Sequence, residues 1–321
     1  MAHEIATIEG KAAMAYAGAT PWHRLGTPMM GFPNVQDAME AATLNWTVEK
    51  EHMFLKTGQK VPSKYAVVRS VDRKVLACVG STYKPLQNAE AFEPLNLACK
   101  EFGVTIETAG ALGRGDRVWM LAKLPNTIEP VSGDKVEGFF LINSGHNGWT
   151  PYSARLTPVR VVCANTLSLA MRDKAVIKLR HTHTDLQRMD LVANMVTNLV
   201  AALKISGDSF AKLAARKMSE SDIDTYIDAV LGIPAFAVVE GVMERKRDTM
   251  RTLARKGKGV EYAPMTAWAA YNGVTEYVDH IRTATNERLL RNSDVSALFG
   301  PSAKMKQDAL AIALEFAKVA A

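Results

Sequence analysis

Cysteine is scarce in this chain of 321 residues: Cys78, Cys99 and Cys163 stand far apart, and no two form a CxxC pair. An odd, scattered set argues against a disulfide framework and a structural zinc site, and suits a reducing compartment such as the cytoplasm. Long apolar runs are absent as well. None approaches the ~18–20 residues that span a bilayer, and the start, MAHEIATIEGKAAMAYAG, lacks a basic region followed by an apolar core. Neither a membrane span nor a secretion signal is expected. The chain also has no GxxxxGK(S/T) phosphate loop. ALGRGDRVW offers Gly113 and Gly115, but no helix start or lysine follows, so it reads as a hairpin turn and ATP-driven work is not expected.

What is present is ordinary for a folded protein: 48% apolar and 22% charged residues, with a length that suits two domains. The formal charge of +6 and a pI near 9.1 favour an anionic partner. Residues 1–33 are expected to form an irregular N-terminal arm, because Pro21, Gly26, Pro28, Gly31 and Pro33 interrupt helix and strand periods alike. Residues 34–185 read as an α+β sheet domain. Asn34 caps a short helix, KYAVVRS and KVLACVG flank a VDR turn, and DRVWMLAKL, VEGFFLINS and VRVVCANTL are β-branched or aromatic runs. One helix, NAEAFEPLNLACKEFG, lies among them, opened by Asn88 and closed by Gly103. Consecutive hairpins predict a largely antiparallel sheet with its helices packed on one face. Over 186–321 the period changes to 3.6, so this half is expected to be helical.

The segment NSGHNGWTPYSARLTPVRVVCANT holds the residues with the most chemical potential. Cys163 with His146 has the makings of a nucleophile and base, but a small thiol inside VRVVCANTL is the usual pattern of core packing. In RHTHTD an extended chain puts His181, His183 and Asp185 on one face, as metal ligands require and as a solvated sheet edge also shows. No catalytic or metal residue is assigned, and no cofactor is expected. The cations are better placed for binding. Arg155, Arg160, Arg172, Lys174, Lys178 and Arg180 lie within one stretch interrupted only by Asp173, just after Trp149 and Tyr152. Cations track a phosphate backbone and aromatic rings stack on bases, a combination used in single-strand binding; a solvated face with Trp149 in the core is the plain alternative. Further on, Arg247, Arg251 and Arg255 fall on one helical stripe, which suits phosphate contact or pairing with acids.

Several segments in the same order, PWHRLGT, YAVVRSVDRKVLACVGSTYKPLQNAEAF, DRVWMLAKLP, FFLINSGHNGWTPYSARLTPVRVVCANTL, IKLRHTHTD, TAWAAYNGVTEYVDH and ALFGPSAKMKQDALAIALE, resemble the phage/plasmid-like proteins grouped as domain of unknown function 932. The likeness departs at Asn147, where the family pattern carries an aspartate, which speaks against an acid beside His146 doing chemistry. The resemblance implies a mobile-element protein with a relation to phage single-strand annealing proteins, which form rings or filaments and need no ATP. The expectation is therefore a cytoplasmic, homo-oligomeric, ATP-independent single-stranded DNA binding and annealing protein of a phage, prophage or plasmid, acting in recombination or replication. Trp149 and Tyr152 would stack on bases; Arg155, Arg160, Arg172, Lys174, Lys178, Arg180, Arg247, Arg251 and Arg255 would meet phosphates. Alternative readings are a cysteine- or metal-dependent hydrolase or nuclease, and a non-catalytic interaction protein or inhibitor.

Overall fold

The computed structural model describes residues 5–18, 24–31, 33–160, 165–166, 176–182, 204–282 and 301–318. The fold is α+β, strand-rich in its N-terminal half and helical in its C-terminal half. The main sheet runs in the order β12 (Asn165–Thr166), β11 (Tyr152–Arg160), β10 (Asp134–Gly145), β9 (Arg117–Val131), β8 (Thr105–Leu112), β3 (Met14–Tyr16) and β4 (Thr27–Pro28), with β13 (Val176–Leu179) also paired to β11. Every pair in it is antiparallel except β3 with β4. A separate antiparallel sheet joins β5 (Val48–Phe54), β6 (Lys60–Arg69) and β7 (Val75–Val79).

Local chemistry accounts for the helices of this half. Helix α1 (Val35–Ala41) opens with a capping box between Asn34 and Asp37, as the sequence suggests. Helix α2 (Asn88–Phe102) is capped one residue earlier than expected, by Gln87 with Glu90, and stops at Gly103 in the left-handed conformation. Asn88 is thereby freed from capping and turned into the core. Both helices cover one face of the main sheet. Phe140, Ile142, Tyr152, Ala154 and Leu156 alternate along β10 and β11 toward that face and share a core with Ala38, Met39, Phe92 and Leu95.

The N-terminal residues correct an expectation. Although 1–33 reads as an irregular arm, β1 (Thr7–Ile8) and β2 (Lys11–Ala12) form a small hairpin, and β3 pairs with β8 across Met14↔Gly110. Apolar Met14–Tyr16, buried throughout, outweighs the nearby breakers because β8 offers it an open sheet edge.

The C-terminal half packs α3 (204–215), α4 (Glu220–Leu231), α5 (Gly241–Lys256), α6 (Ala267–Glu276, continued by a π-helical turn at Tyr277–Ile281) and α7 (Pro301–Lys318) around a second core containing Phe210, Tyr226, Met250, Trp268 and Tyr271. The far end of the β9–β10 hairpin enters this core through Ile128, Val131 and Val136. There the Trp268 indole N–H donates to the fully buried Asp134 carboxylate at 2.7 Å. Because one hairpin belongs to both cores, we expect helix content and tryptophan fluorescence to report one coincident urea transition. Trp268→Phe, which removes the donor, should lower that stability by about 1–3 kcal/mol; two separate transitions in the parent would show that the halves are uncoupled.

Candidate functional site

The near end of the same hairpin carries the site. At Gly145 the chain leaves β10 and turns before β11, and Asn147 organises that turn. Its Oδ1 accepts the backbone N–H groups of Trp149 and Thr150 at 3.3 and 2.9 Å, while its Nδ2 donates to Thr150 Oγ1 and Asp116 Oδ2 at 2.9 and 3.1 Å. The flanking glycines are dictated by space. A Cβ on Gly145 would lie 2.3 Å from Thr150 Cβ, and Gly148 adopts φ +86° with Val79 beneath it. A turn held this tightly projects Trp149 outward, leaving it 84% exposed.

Beneath the turn His146 is fully buried, edge-on to Trp46 at 5.2 Å. Asn88 donates through Nδ2 to the Leu44 carbonyl, so its Oδ1 accepts and His146 Nε2, 2.9 Å away, is the donor. Burial pushes the His146 imidazole down to about 3, helped by the charges of His181 and Arg69. The ring is neutral and anchored through Nε2, while its buried Nδ1 has no hydrogen-bond partner among the described residues.

Trp149 stands at an open cleft of about 440 Å³, whose lining includes Cys78, Tyr83, Asn147, Arg180 and His181. Three segments converge there: the β7–α2 connection, the Asn147 turn and the residues that follow β13. Hydrogen bonds fix them together. Lys84 N–H donates to the His181 carbonyl at 2.8 Å, Tyr83 OH to the Gly145 carbonyl at 3.2 Å, and Lys50 Nζ to the carbonyls of Ser81 and Tyr83 at 2.7 and 2.9 Å. The His181 ring stacks on Tyr83 with centroids 5.3 Å apart. Burial draws His181 down to about 4; the nearby carbonyls of Thr150 and Lys84 oppose this without reaching hydrogen-bond geometry.

The expected contact residues divide. Trp149 and Arg180 line the cleft, both exposed, and exposed Lys178 lies two residues before Arg180. Tyr152 is corrected: it is completely buried in the sheet core, so its ring has no face to offer a base. Arg155 is half-buried and shares a sheet face with Lys178, and its charge is felt by buried Lys306, which pairs with Asp279. Of Arg160 only the backbone is described, on β11 opposite Val136; Arg172, Lys174, Cys163, His183 and Asp185 lie outside the described residues.

The helical stripe also departs from a phosphate reading. Arg247 pairs with Asp228, Arg251 with Asp224 at 3.0 Å, and Arg255 with Glu220 and Asp224, so the cations of α5 are matched by acids of α4. Among the described residues, no group of three His, Cys, Asp or Glu side chains is able to hold a metal ion, and no helix is long and apolar enough to cross a membrane. The family described as Domain of unknown function (DUF932) matches residues 75–298, and the chain belongs to it. No curated protein and no solved structure matches the chain.

Two predictions follow from the geometry of the turn and its buried imidazoles. Asn147→Asp keeps the acceptor for Trp149 and Thr150 but sets a carboxylate against Asp116. It should lower stability by about 1–3 kcal/mol at neutral pH, and adding Asp116→Asn should restore most of the loss; equal stability of Asn147→Asp and the parent in urea would contradict the assigned bonds. Both histidines are held below their unfolded value near 6.5, so the unfolded chain takes up protons first. Their contribution is complete above that pH and is lost as pH falls toward the folded values of about 4 and 3. Denaturant titrations should therefore show up to ~1.4 kcal/mol lost per pH unit for each histidine, with a shallower slope in His181→Phe.

Proposed function

We propose that the protein binds single-stranded DNA and anneals complementary strands without ATP. In this reading it is a cytoplasmic, homo-oligomeric component of a phage, prophage or plasmid, acting in recombination or replication. The observation that carries the proposal is Trp149, held 84% exposed by a rigid turn at a polar cleft with Arg180 beside it. Leaving a large apolar ring in water is unfavourable, and a base stacked on it relieves that exposure whatever its sequence. Arg180 and Lys178 supply cations for the neighbouring phosphates. The absence of a phosphate loop from the sequence accords with annealing that consumes no nucleotide. The 233–243 segment, where Phe236 and Val238 are almost wholly exposed, offers a surface that a subunit contact would cover.

The test is fluorescence polarisation of a labelled single-stranded oligonucleotide across a salt series, with duplex as competitor and annealing followed in the same samples. The parent should bind in a salt-sensitive way and accelerate annealing without ATP. Trp149→Ala should weaken binding roughly 5- to 150-fold. Joint replacement of Lys178 and Arg180 by alanine should lower the salt slope by about 1.4. Arg251→Gln should leave that slope unchanged, because its charge is already matched by Asp224. Absence of binding at low salt would overturn the proposal.

A further inference from the structure

His181 is 5% exposed, lies in the wall of the cleft, and has no hydrogen-bond partner at either ring nitrogen among the described residues. Buried polar side chains are nearly always satisfied, and one left unsatisfied in the wall of a cleft is placed to take a partner that comes from outside. Its ring is held by the stack on Tyr83, and its backbone carbonyl is tied to Lys84, so the imidazole is placed rather than adrift. With its imidazole drawn down to about 4 it is uncharged at neutral pH and presents one donor and one acceptor.

We propose that this cleft is a pocket for a single nucleobase, with His181 as a specificity-determining residue that hydrogen-bonds the base edge and Trp149 as the ring beside which the base enters. This rests on the reading of single-stranded nucleic acid as the ligand. Three features of the cleft match three parts of one nucleotide. An exposed indole suits a flat heterocycle, a neutral imidazole whose buried nitrogens lack partners among the described residues suits an edge carrying donors and acceptors, and Arg180 suits a phosphate. The volume of about 440 Å³ falls within the ~300–1,000 Å³ typical of small-ligand pockets. A base drawn from the strand would reach His181 only after unstacking, which single-stranded DNA allows at modest cost.

A site built around an open polar group discriminates sharply between ligands that satisfy it and those that do not. The experiment is NMR observation of the Trp149 indole and His181 imidazole in the full-length protein, titrated separately with the four deoxynucleoside 5′-monophosphates and with deoxyribose 5-phosphate. Oligo-dA, oligo-dC and oligo-dT are bound in parallel by polarisation. At least one nucleotide should shift both signals and bind tenfold or more tightly than the sugar phosphate, while the buried His146 signal stays still. His181→Phe, which keeps a ring on Tyr83, should erase the differences between nucleotides, and His181→Gln, which keeps a donor and an acceptor, should restore part of them.

Nucleotides that bind no better than the sugar phosphate, or that leave the His181 signal unmoved, would overturn the pocket, and this readout needs no variant to fold. Oligonucleotide binding that persists alongside that result would leave the single-strand reading standing. Binding of mononucleotides without binding of oligonucleotides would uphold the pocket and remove the single-strand reading.

Discussion

The β9–β10 hairpin is the constraint on which the rest of the molecule depends. Its register runs from Asp134↔Val131 at one end to Gly145↔Arg117 at the other, through every described strand pairing at the centre of the main sheet. One end anchors the helical half through Asp134 and Trp268; the other ends at the turn that presents Trp149. Side chains alternate strictly across a strand, so a one-residue slip would turn Phe140 and Ile142 out of the core and undo both ends together. The irregularities in the register, between Asp134 and Val136 and between Glu137 and Phe139, lie toward the helical end. The cleft end is regular, as a site that must be held in place requires.

Charge is distributed between the halves in different ways. In the helical half, Arg247, Arg251 and Arg255 meet Glu220, Asp224 and Asp228, two helix faces of opposite sign that lock α4 to α5. Half-buried ion pairs that still meet solvent contribute little one by one, but a row of them fixes the orientation of the two helices. In the sheet half, Arg69 is wholly buried and held by Asp72, whose carboxyl is brought down to about 2 by the hydrogen bond from Arg69, against the effect of burial and with help from the Lys74 backbone N–H. Arg69 also lies over Trp46, the ring that meets His146 edge-on. The floor of the site is thus a chain of packed groups running from Asp72 through Arg69 and Trp46 to His146.

Much of this was legible in the sequence because it rests on local chemistry. The Asn34 cap, the VDR hairpin, the Gly103 stop and the change of period after the sheet are all written in neighbouring residues. What was not legible depends on partners far along the chain. Met14–Tyr16 is a strand only because β8, about ninety residues later, offers an edge. Arg247 and Arg251 look like a free cationic stripe until α4 is laid against it. Tyr152 sits next to polar Ser153, and nothing in that pattern says which of the two faces of β11 is covered; α1 and α2 decide it.

The same reasoning explains why the stretch GHNGWT draws attention to the wrong residues. His146 and Asn147 have the chemistry of an active site, yet Asn147 spends its hydrogen bonds on the turn itself, and His146 is sealed under it, with Nε2 on Asn88 and a buried Nδ1 that has no partner among the described residues. A polar residue that has satisfied its partners is part of the scaffold, and the residue left with an unmet requirement is the one available for function. What sets Trp149 and His181 apart from His146 is position: both line the cleft, Trp149 with its ring in water and His181 with two nitrogens in the wall that are unpartnered among the described residues. The packing of His146 and the bonds of Asn147 hold the turn and with it the position of Trp149, and in the proposed reading a stacking ring and a hydrogen-bonding edge discriminate only if they do not move to suit whatever arrives.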